Sequence, residues 1–402
     1  MSCDQMSMSV GEDERSRRGK IPFDTALLDR LMDAEGIDVL LATSKHAVQY
    51  LLGRHRFFFF DYMDAIGTNR YLPIVVYFKG HPEKAGYIGN EMENYVNDIT
   101  PFWPDDLGLK VWGVDDAISL AVSFIARSGL PAKRIGIEQA FLPSSGLIGL
   151  GRQLPEAELV DALFVLERLR ARKTKSELDD LRLASDRVID AMLSTLGQIG
   201  EGASKNEIVQ VIKEEEVARG LNFEYCLIAM GASLNRAPSD QRWRRGEPLS
   251  LDSGGNYGGY IGDVARMAVL GEPDAELVDL LGEIEDIQMK ARSVVAPGTI
   301  GRAIYDAVEA PLKASANSRH LRFCAHGMGL ITHEAPRLTS TGPVPYEATD
   351  VGRPLEAGMV LSIETTLLHP KRGFIKLEDT VAVMDDGFEA FGDQGRGWNV
   401  VG

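Results

Sequence analysis

Residues 249–267 read LSLDSGGNYGGYIGDVARM, two apolar stretches separated by a run rich in glycine. Such stretches are strand-like, and the glycines between them supply a tight turn. Asp252 and Asp263, eleven positions apart, then fall on neighbouring strands with both carboxylates facing inward. Residues 361–383, LSIETTLLHPKRGFIKLEDTVAV, repeat the arrangement: Glu364 and Glu378 stand fourteen positions apart, with Pro370 and Gly373 in the turn. Three of these acids directly follow an apolar residue, namely Leu251, Ile363 and Leu377. Buried carboxylates are costly without cations, so the two units together ask for metal. Between them lies CAHGMGLITHE (324–334), which puts His326 in a glycine-flanked kink and His333 seven residues further on.

Four carboxylates and one imidazole suit manganese, cobalt or ferrous iron, and zinc also accepts such ligands. Two ions bridged by carboxylates hold a hydroxide at neutral pH. One Asp in a turn is more often a turn former, and one His more often a satisfied polar residue. Five such residues in this order on paired strands are not explained in that way.

Outward from these units, helices are expected over 176–196, after Ser204 (with Glu207 completing a capping box), over 274–294 and over 299–313, with a strand at 224–230. The first part of the chain alternates helical spacing (23–36, 115–128) with short apolar runs (37–42, 71–78, 84–88, 134–138), an α/β pattern. The expected organisation is a disordered polar lead (1–20), an α/β domain (21–167) and a second domain (168–402) that begins at the basic connector RLRARKTK. A length of 402 residues suits two domains at roughly 100–200 residues each. With 43 basic against 59 acidic residues the formal charge is −16, which excludes nucleic acid and anionic membrane surfaces as partners. No apolar run approaches the roughly 20 residues of a membrane helix. The polar start carries no secretory signal, and Cys3, Cys226 and Cys324 form no CxxC, so a reducing cytoplasm is the expected compartment. Cys324 reads as a buried structural thiol, since no Cys-His-Asn order accompanies it, and the three glutamates at 214–216 read as a solvated helix face.

Asp-x10-Asp, HGxGxxxHE, SIE and LEDTV, in this order, resemble the pita-bread metallopeptidases: aminopeptidase P, prolidase and methionine aminopeptidase, with creatinase as a relative. The resemblance covers about residues 168–389, and the region before it looks like the N-terminal domain of creatinase and prolidase. It implies a two-domain α/β protein, a creatinase-like α/β domain followed by a pita-bread (α+β) catalytic domain with two divalent ions. The implied reaction is amide hydrolysis by an Xaa-Pro dipeptidase or aminopeptidase. By position, Asp252 would bind one metal, His326 and Glu364 the other, with Asp263 and Glu378 bridging. His333 would hydrogen-bond the substrate and stabilise the tetrahedral intermediate, and Glu364 or a bound water would shuttle the proton.

Three departures fall in the substrate shell. Ser239 stands where proline-directed members carry a histidine after a proline, Thr365 replaces the proline of SIEP, and Lys376 replaces an arginine. Ser239, Lys376 and His369, in the second turn, are therefore the candidate substrate contacts of this domain. Arg54-His-Arg-Phe-Phe-Phe-Phe-Asp-Tyr62 follows Tyr50-Leu-Leu-Gly53, which looks like the family's YxTG stretch. In creatinase-like dimers the segment after it reaches the partner's active site, which implies a homodimer with Arg54 and Phe58 as contacts. The rival reading keeps the metal centre but turns it on a small non-peptide nitrogen compound or osmolyte, as a creatinase-like or ectoine-hydrolase-like enzyme or a lyase. A non-catalytic binding module is the third reading, disfavoured by the retention of all five ligand residues.

Overall fold

The computed structural model describes residues 19–65, 70–342, 344 and 346–402; the polar lead lies, through residue 18, outside them. The chain divides between Arg170 and Ala171 into two compact units.

In the first unit β1 (Val39–Ala42), β2 (Ile74–Phe78), β3 (Gly86–Gly89), β4 (Asp106–Leu109), β5 (Arg134–Ile137) and β6 (Glu158–Asp161) form one sheet in the order β4-β3-β2-β1-β5-β6. Its central strands read as unbroken apolar runs because helices cover both faces. Leu40 and Ala42 pack with Leu28 and Met32 of the Thr25–Ala34 helix, whereas Val39 and Leu41 pack with Ile118 and Phe124 of the Val114–Ser128 helix. The four phenylalanines separate as one strand face cannot hold them. Phe57 is buried against Tyr71, Phe59 meets Trp112, and Phe58 is 50 % exposed on a short 3-10 helix, Phe58–Ala65.

The second unit is built on β7 (Asn222–Met230), β8 (Pro248–Tyr257), β9 (Tyr260–Leu270), β10 (Leu321–Gly327), β11 (Val360–His369) and β12 (Gly373–Met384), ordered β10-β11-β12-β9-β8-β7. β13 (Gly387–Phe391) adds to β12, and β14 (Asn399–Val401) to β9. Two hairpins, β8/β9 and β11/β12, meet where Ala265 pairs with Glu378. The first turns on Gly258 and Gly259, whose φ of 61° and 101° is the positive pair a two-residue hairpin loop requires. Gly254 lies within β8 rather than in the turn, where a Cβ would run into the Tyr225 ring.

Helices pack against the sheet through Leu249, Leu251 and Val264 on one hairpin and Leu361, Ile363 and Leu377 on the other. The Lys175–Leu196 and Lys205–Ala218 helices each begin with a complete capping box, Thr174 with Glu177 and Ser204 with Glu207. The solvated reading of 214–216 needs one correction. Glu216 faces inward, fully buried, and accepts a hydrogen bond from Ser253 Oγ (2.7 Å), because its helical position lies one turn beyond the core residue Ile212.

Candidate metal centre

Side chains on a strand alternate, so residues paired across strands share a face. Asp263 pairs with Gly254, and Tyr225 pairs with Gly254 from the other side. Asp252 pairs with Leu227 and Ala265, and Ala265 with Glu378. Glu364 lies directly opposite Glu378, Cys324 opposite Glu364, and His326 opposite Ser362. One face of one sheet therefore gathers Asp252, Asp263, His326, Glu364, Lys376 and Glu378, all buried. Like charges directly opposite on paired strands are destabilising, so the Glu364–Glu378 pair in particular requires a cation between its members.

His326 lies inside β10, not in a kink; the chain turns only after it. Gly327 donates its N–H to Pro336 O and accepts from Glu334 N, both at 2.9 Å, closing a tight return loop. A Cβ on Gly327 would collide with the Ala335–Pro336 backbone, which is why glycine stands there. The return lays the His333 ring on the His326 ring with centroids 3.8 Å apart. His326 Nδ1 donates to Gly327 O at 3.3 Å, which orients the ring so that Nε2 points into the site. That nitrogen is buried, has no hydrogen-bond partner among the described residues, and faces Glu364 Oε1 and Glu378 Oε1, each 3.9 Å away. Ligand atoms of Asp263, His326 and Glu378 all lie within 4.8 Å of one another. A buried imidazole nitrogen aimed at carboxylates without a partner is what a divalent ion would satisfy, so this donor set fits one.

Surrounding groups hold the ligands in place. Tyr225 OH donates to Asp263 Oδ1 (2.5 Å) and Ser362 Oγ to Glu378 Oε1 (2.7 Å). On the opposite face of β12, Asp379 is held by Gln288, Arg266, Arg292 and Arg396, which fixes the strand so that Glu378 points into the centre. Burial, then the charges of Glu378 and Asp252, raise the Asp263 carboxyl well above its ordinary range, the signature of acids brought together without enough positive charge. Burial, then His326, lowers His333 to about 3, so its imidazole is neutral. The Cys324 thiol is pushed up by burial first and then by Glu364 and Glu378, which keeps it protonated.

The substrate-shell candidates separate. Lys376 reaches the centre, with Nζ 2.7 Å from Asp252 Oδ2. Ser239 is not among the residues lining the site; its hydroxyl accepts from Gln241 N. His369 closes the β11/β12 turn by accepting from Arg372 N at 2.9 Å. Arg54 and Phe58 belong to the first unit. Arg236, three residues before Ser239, is the residue that sequence reasoning missed. It pairs with Asp252 and stacks on Phe374 at 4.6 Å. Ser239 lies in the same stretch, and nothing in the residues around it distinguishes an inward from an outward side chain. A cavity of about 300 Å³ opens on the carboxylates, walled by Tyr225, Thr332, His333 and Val344. It adjoins one of about 560 Å³ that shares Arg236 and Glu364 and adds Arg322, Phe323 and Phe374.

Among the described residues no helix is long and apolar enough to cross a membrane. Residues 25–172 match the creatinase/prolidase N-terminal domain, and residues 179–385 match metallopeptidase family M24. The Xaa-Pro dipeptidase of Pyrococcus furiosus is 27 % identical over 230 residues, 56 % of this chain and 63 % of that protein. The match thus spans less than two-thirds of that relative's length. Among solved structures, the Xaa-Pro dipeptidase from Bacillus anthracis aligns with a TM-score of 0.77 at 21 % identity, over 94 % of this chain and 98 % of the other. The N-terminal domain of FACT complex subunit SPT16 from Cicer arietinum (chickpea) aligns at 0.71 and 14 % identity, over 92 % and 97 %. Likeness at those identities is likeness of fold, which hosts more than one function. The sequence match is stronger ground: it takes in over half of the chain and every strand that carries the carboxylate–histidine cluster, and on it the chain belongs to metallopeptidase family M24.

Proposed function

We propose that this chain is a metal-dependent hydrolase that cleaves the amide bond of a short peptide of the Xaa-Pro type, as a dipeptidase or aminopeptidase. The observation that carries the reading is the buried, unpartnered His326 Nε2 facing Glu364 and Glu378 beside Asp263. Manganese is the first choice of ion, ahead of cobalt, ferrous iron and zinc, and two ions are what the five-ligand pattern implies. Bound there, a divalent ion polarises a carbonyl and makes water nucleophilic at neutral pH. The chain's own residues supply the rest. Neutral His333 still has one N–H to offer a developing oxyanion. Glu364, at the mouth shared by the two cavities, is placed to carry the proton to the leaving nitrogen. Arg236 and Arg322 suit a substrate carboxylate, and Phe323 and Phe374 an apolar side chain.

A second reading, hydrolysis of a small non-peptide amide or osmolyte, is favoured by one feature: Arg236 rather than Ser239 enters the pocket, which departs from the proline-directed shell. Manganese-loaded protein, assayed in parallel on an Xaa-Pro dipeptide and on creatine-type and ectoine-type compounds, separates the two. Dipeptide turnover that a chelator removes is the expected result. Turnover of the osmolytes alone assigns the second reading, and full activity without metal overturns both.

The proposal extends to a cytoplasmic homodimer in which the Arg54–Tyr62 segment closes the partner's pocket. Its support is the aromatic surface this segment leaves outside its own unit, with Phe58 50 % and Tyr62 57 % exposed and their rings 6.3 Å apart. Arg54→Ala and His333→Ala chains should each be impaired alone and partly active when mixed, because one hybrid site receives both intact residues. A monomer in solution, or a proven heterodimer without recovery, would refute the shared site.

A further inference from the structure

The Lys376 ammonium lies against Asp252 and Glu378, two of the three carboxylates the ligand pattern assigns to one of its ions. Lys376 and Glu378 are two apart on β12 and so share the site face, and the lysine side chain is only 5 % exposed. Its Nζ lies 2.7 Å from Asp252 Oδ2, 2.5 Å from Glu364 Oε2 and 2.8 Å from Glu378 Oε2. The ammonium donates a hydrogen bond to Asp252 Oδ2 and is ion-paired with the Glu364 and Glu378 carboxylates, so three acids share one organic cation. The oxygens divide between two poles. Oε2 of Glu364 and of Glu378 face Lys376, while Oε1 of each faces His326 Nε2. These two glutamates thus bridge an organic cation on one side and the Asp263–His326 pole on the other. Asp252 Oδ2 sits at the lysine pole, paired with both Lys376 and Arg236.

Charge points the same way. Asp252, Asp263, Glu364 and Glu378 bring four negative charges into a buried site, and Lys376 and Arg236 return two positive ones. One divalent ion closes the balance. A second would leave a surplus of two positive charges, which a hydroxide only halves, in surroundings where uncompensated charge is expensive.

We infer that this centre takes a single divalent ion, held by Asp263, His326, Glu364 and Glu378, with the Lys376 ammonium as a built-in cation in the second position. The inference rests on the reading of the cluster as a metal centre. Lys376 becomes a positioning residue that holds Glu364 and Glu378 in their bridging orientation and fixes the metal count.

The test is metal content and spin coupling in the full chain, independent of any substrate. Protein equilibrated with excess manganese and dialysed should hold one ion per chain by elemental analysis, with the paramagnetic resonance spectrum of an isolated manganese(II). Lys376→Met, close in length and uncharged, should raise the content to two and produce the spectrum of an exchange-coupled pair. Asp252→Asn should keep the single ion, whereas Asp263→Asn should lose it. Two coupled ions in the native chain overturn the inference, whether or not the methionine variant folds. So does a content of one that Lys376→Met leaves unchanged, or loss of the ion in Asp252→Asn. A native chain that binds no manganese at all fails at the earlier step, the metal reading itself.

Discussion

Asp263→Asn should leave the protein folded, free of metal and inactive. Asp263 is fully enclosed, and the hydrogen bond its side chain accepts from Tyr225 OH can be made equally well to an asparagine oxygen. The substitution removes a charge that burial and the neighbouring Glu378 and Asp252 already disfavour, so the metal-free variant should be at least as stable as the metal-free native chain. What it loses is the response to metal. An ion that binds only the folded state at a hundred times its Kd contributes about 2.7 kcal/mol, so manganese should raise the melting temperature of the native chain and leave that of the variant unchanged. Removing a Lewis acid worth several kcal/mol of transition-state stabilisation should lower kcat/KM by roughly 10³-fold or more. A variant that still gains stability from manganese would show that Asp263 is not a ligand.

His333→Ala should separate metal binding from turnover. The ring stacks on His326, and His333 is not one of the side chains whose ligand atoms converge on the ion, so metal content should stay at the native level. His333 Nδ1 is buried without a hydrogen-bond partner among the described residues, and the ring walls the cavity into which the cluster opens. A neutral donor so placed is the kind whose removal costs about 10²–10³-fold in kcat. The expected pattern is therefore kcat down by that factor with metal content unchanged. Unchanged turnover would place the oxyanion contact elsewhere, and loss of metal would make His333 a support for His326 instead.

The two hairpins were legible because their signals are local. Alternation at period two, with Gly258 and Gly259 supplying the positive φ of the first turn, sets β8 against β9, and register then places Asp252 and Asp263 on one face. The same holds for Glu364 and Glu378 across β11 and β12. Helix starts were readable for a similar reason: Ser204 with Glu207, and Asp274 accepting from Leu277 N, satisfy backbone donors within their own first turn. The placement of His326 was misread. Glycine on its far side suggested a kink at the histidine, whereas pairing with β11 draws it into β10 and postpones the turn to Gly327. Glu216 was misread because a run of three acids says nothing about which one faces a core residue across the helix.

The sequence by itself determined which residue types carry the chemistry, their order, and the hairpin mates that share a face, since all of these follow from backbone period and turn chemistry over a few residues. Only the tertiary structure decided how those pieces meet. The contact of Ala265 with Glu378 joins strands more than a hundred residues apart, and no local preference specifies which sheet edges will pair. That junction brings the carboxylates of both hairpins to one point, sends Arg236 onto Asp252, and turns Lys376 from an apparent substrate contact into the cation among three acids. Where a charged side chain ends up is set by the nearest opposite charge in a medium that screens poorly, and that neighbour is supplied by the fold.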